Sequence, residues 1–264
     1  FMVYNLMNGY TDFSPVFSGV ELFFILLLVP VLTMRIIAEE NRQKTDQLLY
    51  TSPVSITKII LGKYLALITL FGIAMLVVCL YPLILSGLVK QVATGTEAVD
   101  FAIAYGSILG FFLLGAAYIA IGMFISSLTE SQVIAAVASG VIMIFTYLMT
   151  SLAGLLPSGH TFVFWFLAVL ILVLSVGLYY WIHNGWLAGI IGVLAEAALV
   201  ILFLLKTESF DGLIGNVLSQ ISITDRYQNF TYGIFDVSAL VYYISVAFLF
   251  VFITIQRIKK KRFN

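Results

Sequence analysis

Long apolar runs alternate with polar breaks along almost the whole chain. A membrane-spanning helix needs about 20 mostly apolar residues at 1.5 Å rise each. Seven runs reach that length, at residues 17–37, 59–88, 101–128, 132–156, 161–182, 186–205 and 237–255. Ser14-Pro15 is a helix-start signal before the first of them. Pro30 should kink the first run, and Pro82 should bend the far end of the second. Most breaks are short turns, such as SSLTES at 126–131, PSGH at 157–160 and His183-Asn184-Gly185. Longer ones are the loop 90–100 and an amphipathic stretch, 206–236. This is the pattern of an all-α integral membrane protein, a polytopic bundle of about seven transmembrane helices. No Pro/Gly/Ser linker divides it, so residues 1–264 are expected to form one transmembrane domain.

One break differs from the rest. Residues 35–63, RIIAEENRQKTDQLLYTSPVSITKIILGK, form a charged, helix-favouring insert between two spans. Arg35/Glu39, Glu40/Lys44 and Arg42/Asp46 are opposite charges at i,i+4, which suits an exposed helix. That helix should stop near Thr51, ahead of Pro53. Ser52 then reads as an N-cap and Pro53 as the first residue of the next helix, with Lys58 and Lys63 on its opening turns.

Composition fits the pattern. Hydrophobic residues make up 62% of the chain and charged residues 10%, with a mean hydropathy of +1.10. A soluble domain would carry roughly 25% charged residues. The formal net charge of +0 leaves no footprint for nucleic acid. The single cysteine, Cys79, lies in an apolar run, forms no intramolecular disulfide and reads as a small core residue.

Charge distribution sets the orientation. With seven alternating spans, the insert and the C-terminus share a side, which carries Arg35, Arg42, Lys44, Lys58, Lys63, Arg257, Lys259, Lys260, Lys261 and Arg262. The other side carries only Lys90, Lys206 and Arg226. The positive-inside rule makes the insert and the tail cytoplasmic. The expected location is the cell membrane, multi-pass, in a bacterial inner membrane. Residues 1–16 fall outside, with no signal peptide before them, so an upstream first helix is expected to be missing.

Candidate chemistry is sparse. There is no G-x-x-x-x-G-K-[ST] phosphate loop; Gly62-Lys63 is the nearest fragment. No H-E-x-x-H, Cys/His metal spacing or nucleophile elbow occurs, so no catalytic or metal-binding residue is expected. His160 and His183 fall at opposite membrane faces. Glu196 is the one carboxylate deep in a predicted span. With Gly185, Gly189 and Gly192 it shares one helix face, which reads either as a close-packed helix contact or as part of a substrate path. Glu21, one turn inside the first span, either faces a cavity or reaches the headgroups. Gly106-x-x-x-Gly110 is a further small-residue face. Tyr179-Tyr180-Trp181 and Tyr242-Tyr243 suit an aromatic belt. Asn229-Phe230-Thr231 fits the glycosylation pattern by chance.

The insert, from Arg35 to Tyr64, resembles the cytoplasmic segment of type-2 ABC exporter permeases, in particular the gliding-motility and copper-enzyme-maturation branch. Gly115 to Ala136 and Tyr227 to Ser245 resemble the same branch. The resemblance implies that 39–58 contains a coupling helix docking on an ATP-binding subunit, with Glu39, Glu40, Arg42, Lys44, Asp46, Thr51 and Pro53 as coupling residues. It implies a working unit of two permeases, homo- or heterodimeric, and two ATPases that bind ATP and Mg, leaving this chain without a cofactor. It also implies short helices at the outer face over 213–235 and contact with membrane lipids. The expected function is the permease subunit of an ATP-driven export system, not itself an enzyme. The alternatives are a membrane anchor recruiting an ATPase to an extracellular machine, and a secondary transporter. The latter would need paired ionisable residues at mid-membrane, whereas Glu196 stands alone.

Overall fold

The structure, a computed structural model, describes residues 23–45, 53–92, 100–157, 159–182 and 185–263. In order, the α-helices are α1 Val29–Met34, α2 Ala38–Gln43, α3 Ile56–Cys79, α4 Tyr81–Val92, α5 Phe101–Leu128, α6 Gln132–Leu155, α7 His160–Ile182, α8 Gly185–Leu205, α9 Leu213–Ile221, α10 Gln228–Thr231 and α11 Val237–Phe263. Among the described residues there is no strand. Among the described residues, five helical segments are long and apolar enough to cross a membrane: Ile56–Gly87, Phe101–Leu128, Gln132–Met149, His160–Gly177 and Val237–Lys261. Gly189–Leu205 is a shorter apolar helix. The protein is therefore an all-α polytopic membrane protein. Residues 17–22 of the first predicted span lie outside the described residues.

Both expected proline effects have visible geometry. Phe24–Leu28 forms a π-helical turn directly before Pro30, and the Val29 N–H reaches back five residues to the Phe24 carbonyl. Proline lacks an N–H and crowds the carbonyl four residues back, and the wider turn relieves that crowding. The helix from Ile56 is interrupted at Leu80, two residues before Pro82, where the Leu80 N–H turns to the Val77 carbonyl at 3.2 Å.

The chain divides into two compact units, residues 1–147 with 223–264, and residues 148–222, and the division falls within α6. In the first unit α5 is the hub, with 72% of its best spanning window buried, against 33% for α11 and 22% for α3. α1, α3, α10 and α11 all pack on it. Lipid tails are as apolar as leucine, so helices associate in a bilayer through close fit rather than escape from water. α5 supplies that fit with small residues. Phe230 presses on Gly110, where an added Cβ would lie 2.6 Å from the ring, so part of the Gly106/Gly110 face is a packing surface. Phe71 and Phe24 close on Gly115, and Thr33 of α1 closes on Gly122. The rings of Phe24 and Phe71 stand 4.8 Å apart, and those of Phe71 and Phe112 stack at 5.7 Å.

The short helices expected over 213–235 are present as α9, the 3₁₀ turn Asp225–Tyr227 and α10, and a further 3₁₀ turn, Thr207–Phe210, precedes them. In the first unit, Ile223, Thr224, Tyr227 and Phe230 are buried. The Tyr118 hydroxyl lies 3.1 Å from that of Thr146 and 3.3 Å from that of Thr224, and the Tyr243 hydroxyl donates to the Ile223 carbonyl at 2.9 Å. Gly233, at φ +74, turns the chain toward α11.

Asp236 caps α11, its Oδ1 accepting from the Ser238 and Ala239 amides at 2.8 and 3.3 Å. Asn229 donates to its Oδ2 at 2.9 Å, and this bond, aided by the two amides and by Arg226, holds the Asp236 carboxyl below its ordinary 3.8. A depressed carboxylate stabilises the fold above its unfolded pKa, and that contribution disappears as pH falls through the folded value. Asn229→Ala is therefore expected to start acid unfolding at a slightly higher pH, below about 4, while lowering stability near neutral pH only slightly, because the lost bond is exposed and solvent screens it. Circular dichroism across an acid titration reads both.

In the second unit, α7 packs on α8. Val163, Phe210 and Ile214 form its small core, and His160 Nδ1 lies 3.2 Å from Asp211 Oδ1.

Candidate coupling site

The charged insert opens with a broken helix. Arg35, Ile36 and Ile37 form a turn between α1 and α2, which leaves amide and carbonyl groups at the joint to be satisfied. Ser126, near the end of α5, meets that need. Its hydroxyl accepts from the Ile37 and Ala38 amides at 3.3 and 3.1 Å and donates to the Met34 carbonyl at 3.1 Å. α5 has 28 residues, about 42 Å of helix against a hydrocarbon core of about 30 Å. Its last turn can therefore place a serine beside a polar joint.

Two further contacts hold α2. Lys63 of α3 makes an ion pair with Glu40 and donates to the Ile36 carbonyl at 3.0 Å, bridging both sides of the break. The side-chain amide of Asn41 accepts from Lys261 of α11 at 3.0 Å and donates to the Thr129 carbonyl at 3.4 Å. α2 is thus tied to α3, α5 and α11 along its inner side, where Ala38 and Asn41 are buried. Arg42, Gln43 and Lys44 point outward and are exposed. Gln43 donates to Glu39 Oε1, whereas Glu39 Oε2 is buried without a hydrogen-bond partner among the described residues. Lys261 beside Asn41 puts the insert and the C-terminal end of α11 at one end of the bundle, as the alternation of spans requires.

Several expectations are corrected. α2 ends at Gln43, where Lys44 takes a left-handed conformation at φ 56, so the helix does not run on unbroken from Glu39; the expected end near Thr51 lies outside the described residues. Glu40 pairs with Lys63 rather than Lys44, since a neighbouring helix offers an ammonium already held in place. The next helix begins at Ile56, with Ser55 in the N-cap position and Pro53 exposed in the bend before it, so Pro53 is not its first residue. Asp46, Thr51 and Ser52 lie outside the described residues, as does Glu21. Asn41, Ser126, Thr129 and Lys261 were not anticipated as parts of the site. The signal that could have found Ser126 was a polar SSLTES turn predicted on the same side as the insert.

The other candidate residues are on α8, in the second unit. Gly192 packs on Ser175 of α7, where an added Cβ would come within 2.9 Å of the serine Cβ. Gly189 lines a shallow cavity of about 570 Å³ with Trp186, Ile190, Val193 and Leu194. Glu196 is half-buried, outside that lining, and forms no ion pair among the described residues.

An all-helical spanning bundle with a pinned polar joint at one end defines a multi-pass membrane protein. Residues 2–206 match the family model of the ABC-2 family transporter proteins, and the chain belongs to that family. It is a permease component of an ABC transport system. No curated protein and no solved structure matches the chain.

Proposed function

We propose that this chain is the membrane-spanning subunit of an export system driven by ATP that a partner ATP-binding-cassette subunit hydrolyses, and that α2 is where the partner docks. The supporting observation is the two-sidedness of α2. Its inner side is fastened to three long helices, and its outer side presents Arg42 and Lys44 to solvent. A short helix built this way passes a push from outside straight into the bundle. ATP and Mg belong to the partner. The drive is differential binding: the ATP-bound partner favours one conformation of the permease over another. The excess of basic residues toward this end, ten against three, supports a cytoplasmic location in a bacterial cell for it and for the C-terminus. The working unit is two permeases with two ATPases, of the gliding-motility and copper-enzyme-maturation type. Gly192 serves helix packing in the second unit, whereas Gly189 and Glu196 face a cavity and the partly exposed side of α8.

Arg42→Glu with Lys44→Glu is the direct test, read by co-purification of the ATPase and by ATP turnover in membranes. Each is expected to fall by about tenfold or more, as repulsion replaces attraction at a charged interface. Lys206→Glu, at the opposite predicted face, should leave both unchanged. Unchanged association in the double variant would refute docking at α2. Retained association and turnover without cargo movement in vesicles would instead indicate an anchor.

A further inference from the structure

A groove of about 490 Å³ runs down the first unit between α3, α5 and α11, from Thr57 to Ile68 along α3 and from Ile255 to Tyr243 along α11. Its walls are hydrocarbon. Tyr64 and Tyr243 also line it, but their hydroxyls donate to main-chain carbonyls, of Ala116 at 3.0 Å and of Ile223 at 2.9 Å. Thr57 to Ile68 spans about 16 Å of helix, roughly half of a 30 Å hydrocarbon core. The groove is therefore one leaflet deep.

One end of the groove is basic. Ile56 and Ile60 pack with Ile255 and Ile258 in one apolar cluster, so the two helix ends abut there. Exposed Lys58 adjoins Thr57. Lys259 lies one turn beyond Ile255 on the groove-lining stripe of α11, since residues four apart share a helix face. A slot of hydrocarbon, one leaflet deep, under two ammonium groups matches the chemistry of an acidic lipid: apolar tail inside, phosphate at the mouth. A second helix would not use the two lysines. We propose that this groove holds an acyl chain of one anionic phospholipid, from the leaflet at the basic end of the bundle, with its phosphate held by Lys58 and Lys259.

The full chain in mild detergent, titrated with phosphatidylglycerol or phosphatidylcholine and weighed by native mass spectrometry, tests this. The wild type is expected to retain phosphatidylglycerol roughly tenfold better than phosphatidylcholine. Lys58→Gln with Lys259→Gln should bring the first down to the second. Leu61→Trp, which fills the groove from its exposed edge, should lower retention of both. Both variants change side chains outside the buried core, and an unaltered elution volume confirms folding. Equal retention of the two lipids by the wild type, or unchanged retention in the lysine variant, overturns the proposal. Loss of a dimer in Leu61→Trp with lipid retention intact assigns the groove to a second copy and also overturns it.

Discussion

Gly122→Leu is expected to lower the unfolding temperature in detergent by roughly 10 °C, while Gly62→Leu leaves it unchanged or slightly higher. Both glycines lie within long helices, so backbone propensity alone favours leucine at each, by less than about 1 kcal/mol. Their surroundings differ. Nothing lies within 4 Å of a Cβ added at Gly62. At Gly122 the Cβ would run into Thr33, whose hydroxyl bonds the Val29 carbonyl at 2.9 Å and whose methyl has no room to retreat. Forcing extra atoms into a filled contact costs about 1–3 kcal/mol, and more where a helix backbone must move. A drop of a few °C per kcal/mol for a chain of this size gives the stated shift. Equal effects at both positions, measured by thermal unfolding, would contradict the close crossing of α1 and α5.

Lys63→Met is expected to lower stability by about 1–3 kcal/mol and to depress ATP-dependent transport more strongly than Glu40→Gln. The Lys63 side chain is 15% exposed and that of Glu40 is 32% exposed, so the pair sits between the surface and interior regimes. Removing the lysine leaves a shielded carboxylate unpaired and also frees the Ile36 carbonyl. Glu40→Gln keeps a polar acceptor, leaves the bond to Ile36 in place and removes the charge. Lys63→Met with Glu40→Gln should recover much of the stability, since the stranded charge is gone, yet should not recover transport. Chemical denaturation of the four forms makes a double-mutant cycle. A coupling energy near zero would show that the pair contributes nothing.

Five of the seven expected spans were legible because apolar run length is a strong signal, and the breaks at Pro30 and Pro82 because proline imposes a local defect. The joint at 35–37 was not legible. Ile36 and Ile37 continue the apolar run, and the group that stabilises the break is Ser126, 89 positions away from Ile37. The i,i+4 reading of Glu40 with Lys44 failed for a related reason. An exposed pair is worth a few tenths of a kcal/mol, less than an ammonium already seated by a second acceptor. The C-terminal lysines were read as an orientation signal, yet Lys261 also grips Asn41. Local patterns predict helices well and predict poorly which distant side chain completes a turn.

The Ser126 hydroxyl owns one proton and two lone pairs, and the joint consumes all three. It is a hinge pin without spare valence, and the pin is mounted on α5 rather than on either arm. Losing that hydroxyl would therefore strand the Ile37 and Ala38 amides and the Met34 carbonyl together, on both arms of the joint at once.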